Sequence, residues 1–169
     1  SFFPSLPSSL RSDDELFRPV SNVLASWNIV ENFLIPLLEQ KSNDKRYALC
    51  LVKLFVLLTK PLDIKTRKAA RMEINIKSKR FSEEQIKRKK ELKANALLQN
   101  ANLIKYKHIF LSQQLFMTFS HILVEPLANL KKAGELRERT KDHDVVELVL
   151  YLFRNILGIE EILEISDQS

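Results

Sequence analysis

Seven basic residues in one short segment are the clearest candidates for chemistry in this sequence. They are Lys77, Lys79, Arg80, Lys87, Arg88, Lys89 and Lys90. Between positions 65 and 93, twelve Lys or Arg residues are accompanied by four Glu, which gives a local charge of +8 in a chain whose formal net charge is +6. Clustered Lys and Arg are suited to contact the phosphate backbone of duplex DNA, and the run KRKK is also typical of a nuclear-import signal.

The other residues of this segment indicate which kind of nucleic-acid contact it favours. Phe81 is its only aromatic residue, so stacking on single-stranded bases is not indicated. Any DNA contact should therefore use charge and should be independent of base sequence. A solvated helix face, partly balanced by Glu83, Glu84 and Glu91, is the competing interpretation.

Residues that could support catalysis or bind a metal are scarce. The chain has only two glycines, too few for a phosphate-binding loop of the dinucleotide or P-loop type. His108, His121 and His143 lack the spacing that places two ligands on one helix face, and Cys50 is a single thiol. The apolar neighbours of Cys50 predict a buried, unreactive thiol in a reducing compartment. We therefore expect a protein that is not an enzyme and that needs no metal or cofactor.

A second group of polar residues lies within the apolar stretch VVELVLYLFRNILGI, residues 145–159. On a helix, Glu147, Tyr151 and Arg154 share one stripe, because spacings of four and seven residues return to the same face. Asn155 lies toward the apolar side, where its amide should hydrogen-bond to the backbone of an adjacent helix or loop. We interpret Asn155 as architectural, and Arg154 as architectural or as part of an interface.

The composition indicates one soluble globular domain. The chain has 169 residues, of which 45% are hydrophobic and 28% charged, as in folded proteins of ordinary size. Two glycines and six prolines provide few tight turns, which favours helices over sheets. No apolar run approaches the ~20 residues that a membrane helix needs, so we expect no membrane contact. Since the sequence does not begin with Met, we expect a fragment of a longer protein.

Hydrophobic periodicity predicts helices along most of the chain. Residues 1–12 are predicted to be irregular, and residues 62–81 to form a loop with a short helical piece. The predicted helices cover residues 13–27, 28–40, 47–59, 82–111, 112–134 and 145–158. The third of these is apolar on nearly every side and is therefore predicted to be a central helix.

Several residues predict how these helices begin and end. Pro36 should either kink its helix or open a new one. Ser82 should cap the long helix that follows it, together with Glu84 or Gln85. Gly134 and Gly158 are suited to left-handed caps at helix ends.

The segment LIPLLEQKSNDKRYALCLVKLFVLLT, residues 34–59, resembles an armadillo repeat. In that pattern a helix that begins with proline packs against a longer buried helix, and residues 145–159 fit the second helix of such a unit. Repeats of this kind bury their apolar faces against neighbouring repeats. We therefore expect an all-α, armadillo/HEAT-like right-handed helical stack over residues 13–165, with residues 62–93 as a basic insertion.

Four motifs then occur in the order in which the N-terminal domain of the Timeless family has them. They are NIVENFLIPLLE, LVKLFVLLTKPLD, LIKYKHIFL and VVELVLYLFRNILGI, and the resemblance covers residues 28–160. Shared features are the Ile-Pro pair, the LLT-x-PL ending, the YK-x-x-F segment and the Arg-Asn ending of the last helix. The chain departs from the family at Phe33, where an acidic residue is usual, and in residues 1–27. Residues 62–93 correspond to a variable region of the family.

The resemblance implies a non-enzymatic nuclear scaffold of the replication fork protection complex. Family members form a heterodimer with a smaller Tipin-type subunit and travel with the replicative helicase and other fork components. They support fork stability, fork pausing and DNA replication checkpoint signalling, whereas some animal relatives act in circadian timing. The alternative that the residues leave open is a generic armadillo-like adaptor, which would bind peptides in a concave groove without affinity for DNA.

Overall fold

The structure is a computed structural model that describes residues 14–75, 77, 80–133 and 140–162, except for the side chains of residues 14–19, 113 and 133. The regular elements in this part of the chain are helices, as predicted. They are α1 (Asp14–Ser26), α2 (Ile35–Lys41), α3 (Lys45–Leu58), α4 (Ile64–Arg71), α5 (Glu83–Phe110), α6 (Gln113–Ala133) and α7 (Lys141–Leu157). Among the described helices, none pairs sufficient length with sufficient apolarity to span a bilayer.

The core lies where α3 packs against α7. Helix α2 contacts α3, while α5 and α6 contact α7, so that α3 and α7 are covered from several directions. The side chains of Phe55, Val149 and Leu152 are completely buried there. The central position predicted for the third helix is thus observed in α3.

Four aromatic rings connect four of the helices through this core. The ring of Phe110 meets that of Phe55 edge-on, with the ring centroids 4.8 Å apart. Phe119 lies 6.4 Å from Phe110 on one side and 5.7 Å from Phe153 on the other. Because edge-to-face ring pairs add to the free energy of burial, this row ties α3, α5, α6 and α7 together.

One side of α3 is exposed, which corrects two predictions. Tyr47 is half-exposed, and Cys50 and Lys53 are also exposed. The helix is therefore not covered all round, and the prediction of a buried Cys50 thiol was wrong. The reason is that the covering helices α2 and α7 reach only part of the circumference of α3, whose apolar residues extend beyond that part.

The beginnings of three helices are fixed by side-chain caps. Asp44 accepts a hydrogen bond from the backbone N–H of Arg46, and Asp63 accepts one from that of Thr66. Ser82 and Gln85 form the predicted capping box: the Gln85 N–H donates to the Ser82 hydroxyl over 3.2 Å, and the Ser82 N–H donates to the Gln85 side chain over 3.0 Å. Such caps satisfy backbone donors that have no partner within the helix.

Pro36 lies in the first turn of α2, where its missing N–H is not needed. A π-helical turn, Val30–Leu34, leads directly into it. Asn28, two residues before this turn, has a left-handed backbone with φ of 53°, a conformation that Asn adopts more readily than most residues. Leu34 and Ile35 both have right-handed helical backbone, so Pro36 lies in the first turn of α2 at the point where the hydrogen-bond pattern changes from π-helical to α-helical.

The prediction of a left-handed cap at Gly158 was wrong. Its φ is −84°, in the right-handed region. Its N–H donates to the carbonyls of Arg154 and Asn155, which closes α7 without a reversal of the backbone. A Cβ atom added there would lie 3.2 Å from the Arg154 carbonyl oxygen, so close packing, and not a left-handed turn, favours glycine. Gly134 lies outside the described residues.

Candidate interaction surfaces

The predicted basic residues lie on two adjoining parts of the structure. Lys77 and Arg80 are exposed in the connection between α4 and α5, and Lys79 lies outside the described residues. The run Lys87–Lys90 occupies the second and third turns of α5. The structure thus places this run on a regular helix, and consecutive residues of a helix point about 100° apart.

The helix therefore spreads these four basic side chains around its circumference. Arg88 pairs with Glu84 over 2.8 Å, and the Lys89 ammonium lies 3.3 Å from the centre of the Phe81 ring. Lys87 and Lys90 are three residues apart and share one exposed side. Neither of them forms an ion pair with another described residue. The structure brings this pair together and not the whole run.

Helix α4 adds basic residues that the predicted set did not include. Lys65 and Lys68 are exposed on α4, which packs along α5. Arg67 and Arg71 on the same helix both contact the carboxylate of Glu160, so part of their charge is already balanced. The signal that could have found them was the charge count, since all four lie within residues 65–93. We call residues 64–93 the basic region.

A second surface is apolar and is formed by α6 and α7. The side chains of Phe116, Met117, Val124 and Leu127 are 58%, 63%, 64% and 49% exposed, and their spacing places them on one face of α6. The amphipathic spacing of residues 112–134 alone would group Phe116 with Leu115 and Phe119, but those two side chains are buried and Phe116 is exposed. The amphipathic pattern did not reveal the exposure of Phe116, because α6 is apolar on two faces.

Helix α7 continues this apolar surface. The ring of Phe116 lies 6.3 Å from that of Phe153, which joins the two helices at this point. Leu150 and Leu157 are exposed and lie three residues before and four residues after Phe153, on the same side of α7. We call the exposed residues Phe116, Met117, Val124, Leu127, Leu150 and Leu157 the α6–α7 apolar surface.

The polar group on α7 divides into a buried and an exposed part. Asn155 is buried, and its side-chain nitrogen donates to the carbonyl oxygen of Val56 on α3 over 3.0 Å. This is the predicted hydrogen bond to the backbone of an adjacent helix. Tyr151 is also buried, Glu147 is half-buried and Arg154 is exposed, and each of these three has an interaction partner.

The part of the chain that the structure describes is thus all-helical and has one basic and one apolar surface. Within this part, no group of His, Cys, Asp and Glu residues could hold a metal ion. A comparison with protein families assigns it further, because the family described as Timeless protein matches residues 5–169. The chain belongs to the Timeless family, as its motifs indicated. No curated relative and no solved structure matches it significantly.

Proposed function

We propose that this chain is a non-enzymatic nuclear scaffold of the replication fork protection complex. The family match over residues 5–169 is the observation that carries the proposal. In this function the chain binds a Tipin-type subunit, associates with the replicative helicase and other fork components, and supports fork stability, fork pausing and checkpoint signalling. Its two surfaces supply the contacts that such a scaffold needs.

The helical stack of this proposal is armadillo-like. Two helix pairs support it, since α2 contacts α3 and α6 contacts α7. The second helices of the two pairs, α3 and α7, also contact each other, as the buried helices of stacked repeats do. The buried amide of Asn155 links these two helices through the carbonyl of Val56.

The α6–α7 apolar surface is the proposed contact for the Tipin-type subunit. Clustered exposed apolar side chains favour protein–protein contact, because burying them against a partner removes apolar area from water. Phe116 and Met117 are the most suitable anchors, since they are large and strongly exposed and would bury much apolar area against a partner.

Co-expression with a Tipin-type subunit tests this contact. We expect a stable complex with the unmodified chain and loss of the complex with Phe116→Asp. The matched control is Phe33→Asp, because Phe33 is 67% exposed but lies on the π-helical turn and is not part of the α6–α7 apolar surface. Equal effects of the two substitutions would contradict the assignment of the surface, and no complex with the unmodified chain would contradict the proposed function.

The basic region is the proposed contact for duplex DNA. A protein that neutralises phosphates releases counterions, so the logarithm of its affinity falls with the logarithm of the salt concentration by about 0.9 per phosphate. Lys87 and Lys90 are the best candidates, because Arg88 and Lys89 already contact Glu84 and Phe81.

A salt titration on duplex DNA measures this contact. Replacing Lys87, Arg88, Lys89 and Lys90 with Ala should reduce the slope of log affinity against log salt concentration. The double variant Lys87→Ala with Lys90→Ala should account for most of this change and should reduce the slope by roughly 2. The exposed pair Lys131 and Lys132 on α6, replaced in the same way, is the control. Unchanged binding by the fourfold variant would exclude the basic region as a DNA contact.

Two other functions make different predictions. A generic armadillo-like adaptor would bind peptides and would show no affinity for DNA in the same titration. A circadian relative would act in timing and not at the fork, so association with the replicative helicase is not expected of it. A pull-down from nuclear extract with the unmodified chain and the Phe116→Asp variant therefore separates these functions. Only the fork function predicts that the unmodified chain captures helicase components and that the Phe116→Asp variant loses them.

A further inference from the structure

A small open cleft of about 80 Å³ lies between α1, the end of α3 and the middle of α5. Its floor is apolar, with Leu57, Leu58 and Leu103 among the lining residues. Lys60 and Asp63 line its edge with one charge of each sign, so the lining carries no net charge. A cleft of this composition is not suited to bind a phosphate backbone, and it belongs to neither of the two surfaces above.

Two amide side chains meet across this cleft. The side-chain nitrogen of Asn102 on α5 donates to the side-chain oxygen of Asn22 on α1 over 3.0 Å, and both residues line the cleft. An amide has a donor nitrogen and an acceptor oxygen, so the pair leaves the Asn102 oxygen and the Asn22 nitrogen to bind an occupant. One acceptor and one donor side by side complement the N–H and C=O of a peptide backbone.

Helix α5 already binds an extended backbone in this way on another face. The side-chain nitrogen of Asn100 donates to the Glu160 carbonyl over 2.7 Å, and the Ile162 N–H donates to the Asn100 oxygen over 3.0 Å. Residues 159–162 are non-helical and lie against the helix through this two-point contact. The chain therefore contains an example of the recognition that the Asn22–Asn102 pair would perform.

Tyr106 forms part of the wall of this cleft. Its hydroxyl is buried without a hydrogen-bond partner in the described part of the chain. Burial raises the pKa of Tyr106 to about 12, with a further contribution from the Glu31 carboxylate. Because this hydroxyl is closed off from solvent, an occupant of the cleft would contact the Tyr106 side chain as part of the wall and would not hydrogen-bond to its hydroxyl.

We propose that this cleft binds an extended, uncharged peptide segment. The backbone of the segment hydrogen-bonds to the Asn22–Asn102 pair, and one aliphatic side chain of about the size of leucine packs against Leu57, Leu58 and Leu103. The proposal does not depend on the fork function, because it uses neither the basic region nor the α6–α7 apolar surface.

The first test is an NMR titration of the whole chain with N-acetyl-leucine-methylamide, which has two peptide groups and one aliphatic side chain. It should shift both the side-chain amide signals of Asn22 and Asn102 and the methyl signals of Leu57 and Leu58. N-acetyl-alanine-methylamide should bind more weakly, because it buries less apolar area. Isoamyl alcohol, which lacks peptide groups, should shift the methyl signals alone and bind more weakly too.

Three outcomes would overturn the proposal. The first is that the leucine probe shifts only signals of residues outside the cleft. The second is that isoamyl alcohol binds as tightly as the leucine probe, which would indicate a site for small apolar molecules. The third is that duplex DNA shifts the same signals as the leucine probe. Each of them can occur whether or not the chain binds DNA elsewhere or forms a complex with a Tipin-type subunit. The fork function is therefore tested separately, by the co-expression with a Tipin-type subunit and by the salt titration on duplex DNA.

The second test compares two substitutions on the same helix. Asn102→Leu removes the amide from the cleft, whereas Asn95→Leu removes an exposed amide outside it. We expect the first to weaken binding of the leucine probe about fivefold, which corresponds to ~1 kcal/mol, and the second to leave it unchanged. Asn22→Ala provides the same comparison if circular dichroism shows that the Asn102 variant is unfolded. Unchanged binding in a folded variant of either residue would contradict the proposal.

Discussion

The two halves of α5 are held in place by different forces. Its second half, from Ala96 to Phe110, buries side chains against the rest of the helical core. Its first half is largely exposed and depends on local contacts: the capping box, the Arg88–Glu84 pair and the Lys89 ammonium over the Phe81 ring. One continuous helix thus combines a half that contributes to the stability of the fold with a half whose side chains are available to a partner.

The largest effect is expected in the packed half, for Phe110→Ala. Its ring contacts those of Phe55 and Phe119, and the side chain is completely buried. Removing a buried Phe side chain costs about 3–5 kcal/mol of unfolding free energy, because apolar contact is lost and a cavity remains. Urea unfolding measures this, with Phe116→Ala as the exposed control. Similar losses for the two variants would contradict the assignment of Phe110 to the core.

A smaller loss is expected for Asn155→Leu, which tests the link between α7 and α3. The substitution keeps approximate volume but removes the donor to the Val56 carbonyl. A buried acceptor that loses its hydrogen bond costs about 2 kcal/mol. Asn95→Leu on the exposed side of α5 should change the unfolding free energy by much less. Equal stability of the Asn155 variant and the unmodified chain would rule out an architectural role for this residue.

The packed half should also respond to alkaline pH through Tyr106. Its pKa is raised to about 12 in the folded chain, against about 10 in an unfolded one. A raised pKa of this kind stabilises the fold fully below pH ~10, and the contribution is lost as the pH rises through ~12. The loss across this window is roughly 2 kcal/mol.

Tyr106→Phe should remove this part of the pH dependence, while lysine titration continues in both proteins. Unfolding curves of the variant and the unmodified chain at several pH values between about 9 and about 12 provide the difference. Tyr47→Phe is the control, because the Tyr47 ring is half-exposed. A difference that does not depend on pH would contradict the assignment of the raised pKa to Tyr106.

In the exposed half, Ser82→Ala should have a moderate and local effect. It removes the hydroxyl that accepts the Gln85 N–H, at a cost of ~1 kcal/mol. The first turns of α5 should exchange their amide hydrogens faster, while exchange from Ala96 to Phe110 stays the same. Ser82→Thr keeps the cap and should restore slow exchange. Faster exchange along the whole helix would mean that the two halves are not independent.

The smallest effect on stability is expected for Lys87→Ala combined with Lys90→Ala. Both side chains are exposed, and substitutions of this kind change the unfolding free energy by no more than about 0.5 kcal/mol. The same variant should still lower the salt slope of DNA binding. A thermal unfolding curve measured beside the DNA titration tests both statements. A large loss of stability would show that the exposed half also supports the core.

Local features of the fold were predictable from the sequence. The positions of the helices followed from their apolar spacing, and the Ser82–Gln85 capping box followed from residues three apart. The hydrogen bond of Asn155 was predictable in kind, because a buried amide needs a partner. That the partner is Val56 was not predictable, since it depends on how α3 and α7 meet.

The errors arose where a helix is apolar over a wide arc. Apolar spacing identifies the apolar residues of α3 and α6, but it does not identify which of them a neighbouring helix covers. Cys50 and Phe116 therefore proved to be exposed. Gly158 was misassigned for a different reason, since glycine at a helix end is compatible with close packing as well as with a left-handed turn.

The candidate surfaces differ in the same way. The basic region was predictable, because its charge lies in consecutive segments of the sequence. Its geometry was not, because the helix separates the side chains of Lys87, Arg88, Lys89 and Lys90. The α6–α7 apolar surface and the cleft at Asn102 combine residues from helices that are distant in sequence, and only the packing of those helices reveals them.

The contact between Asn100 and residues 160–162 has a consequence for sequence divergence. Asn100 binds the main-chain carbonyl of residue 160 and the main-chain N–H of residue 162. These groups are present whatever the side chains at the two positions, except that proline at position 162 would lack the N–H. Mutations at position 161 can thus accumulate over evolutionary time without loosening this contact, whereas position 160 also supplies the carboxylate that Arg67 and Arg71 contact. An alignment of relatives should accordingly retain an amide at position 100 while the residue at position 161 varies, which makes the buried asparagine a better marker of this junction than residue 161.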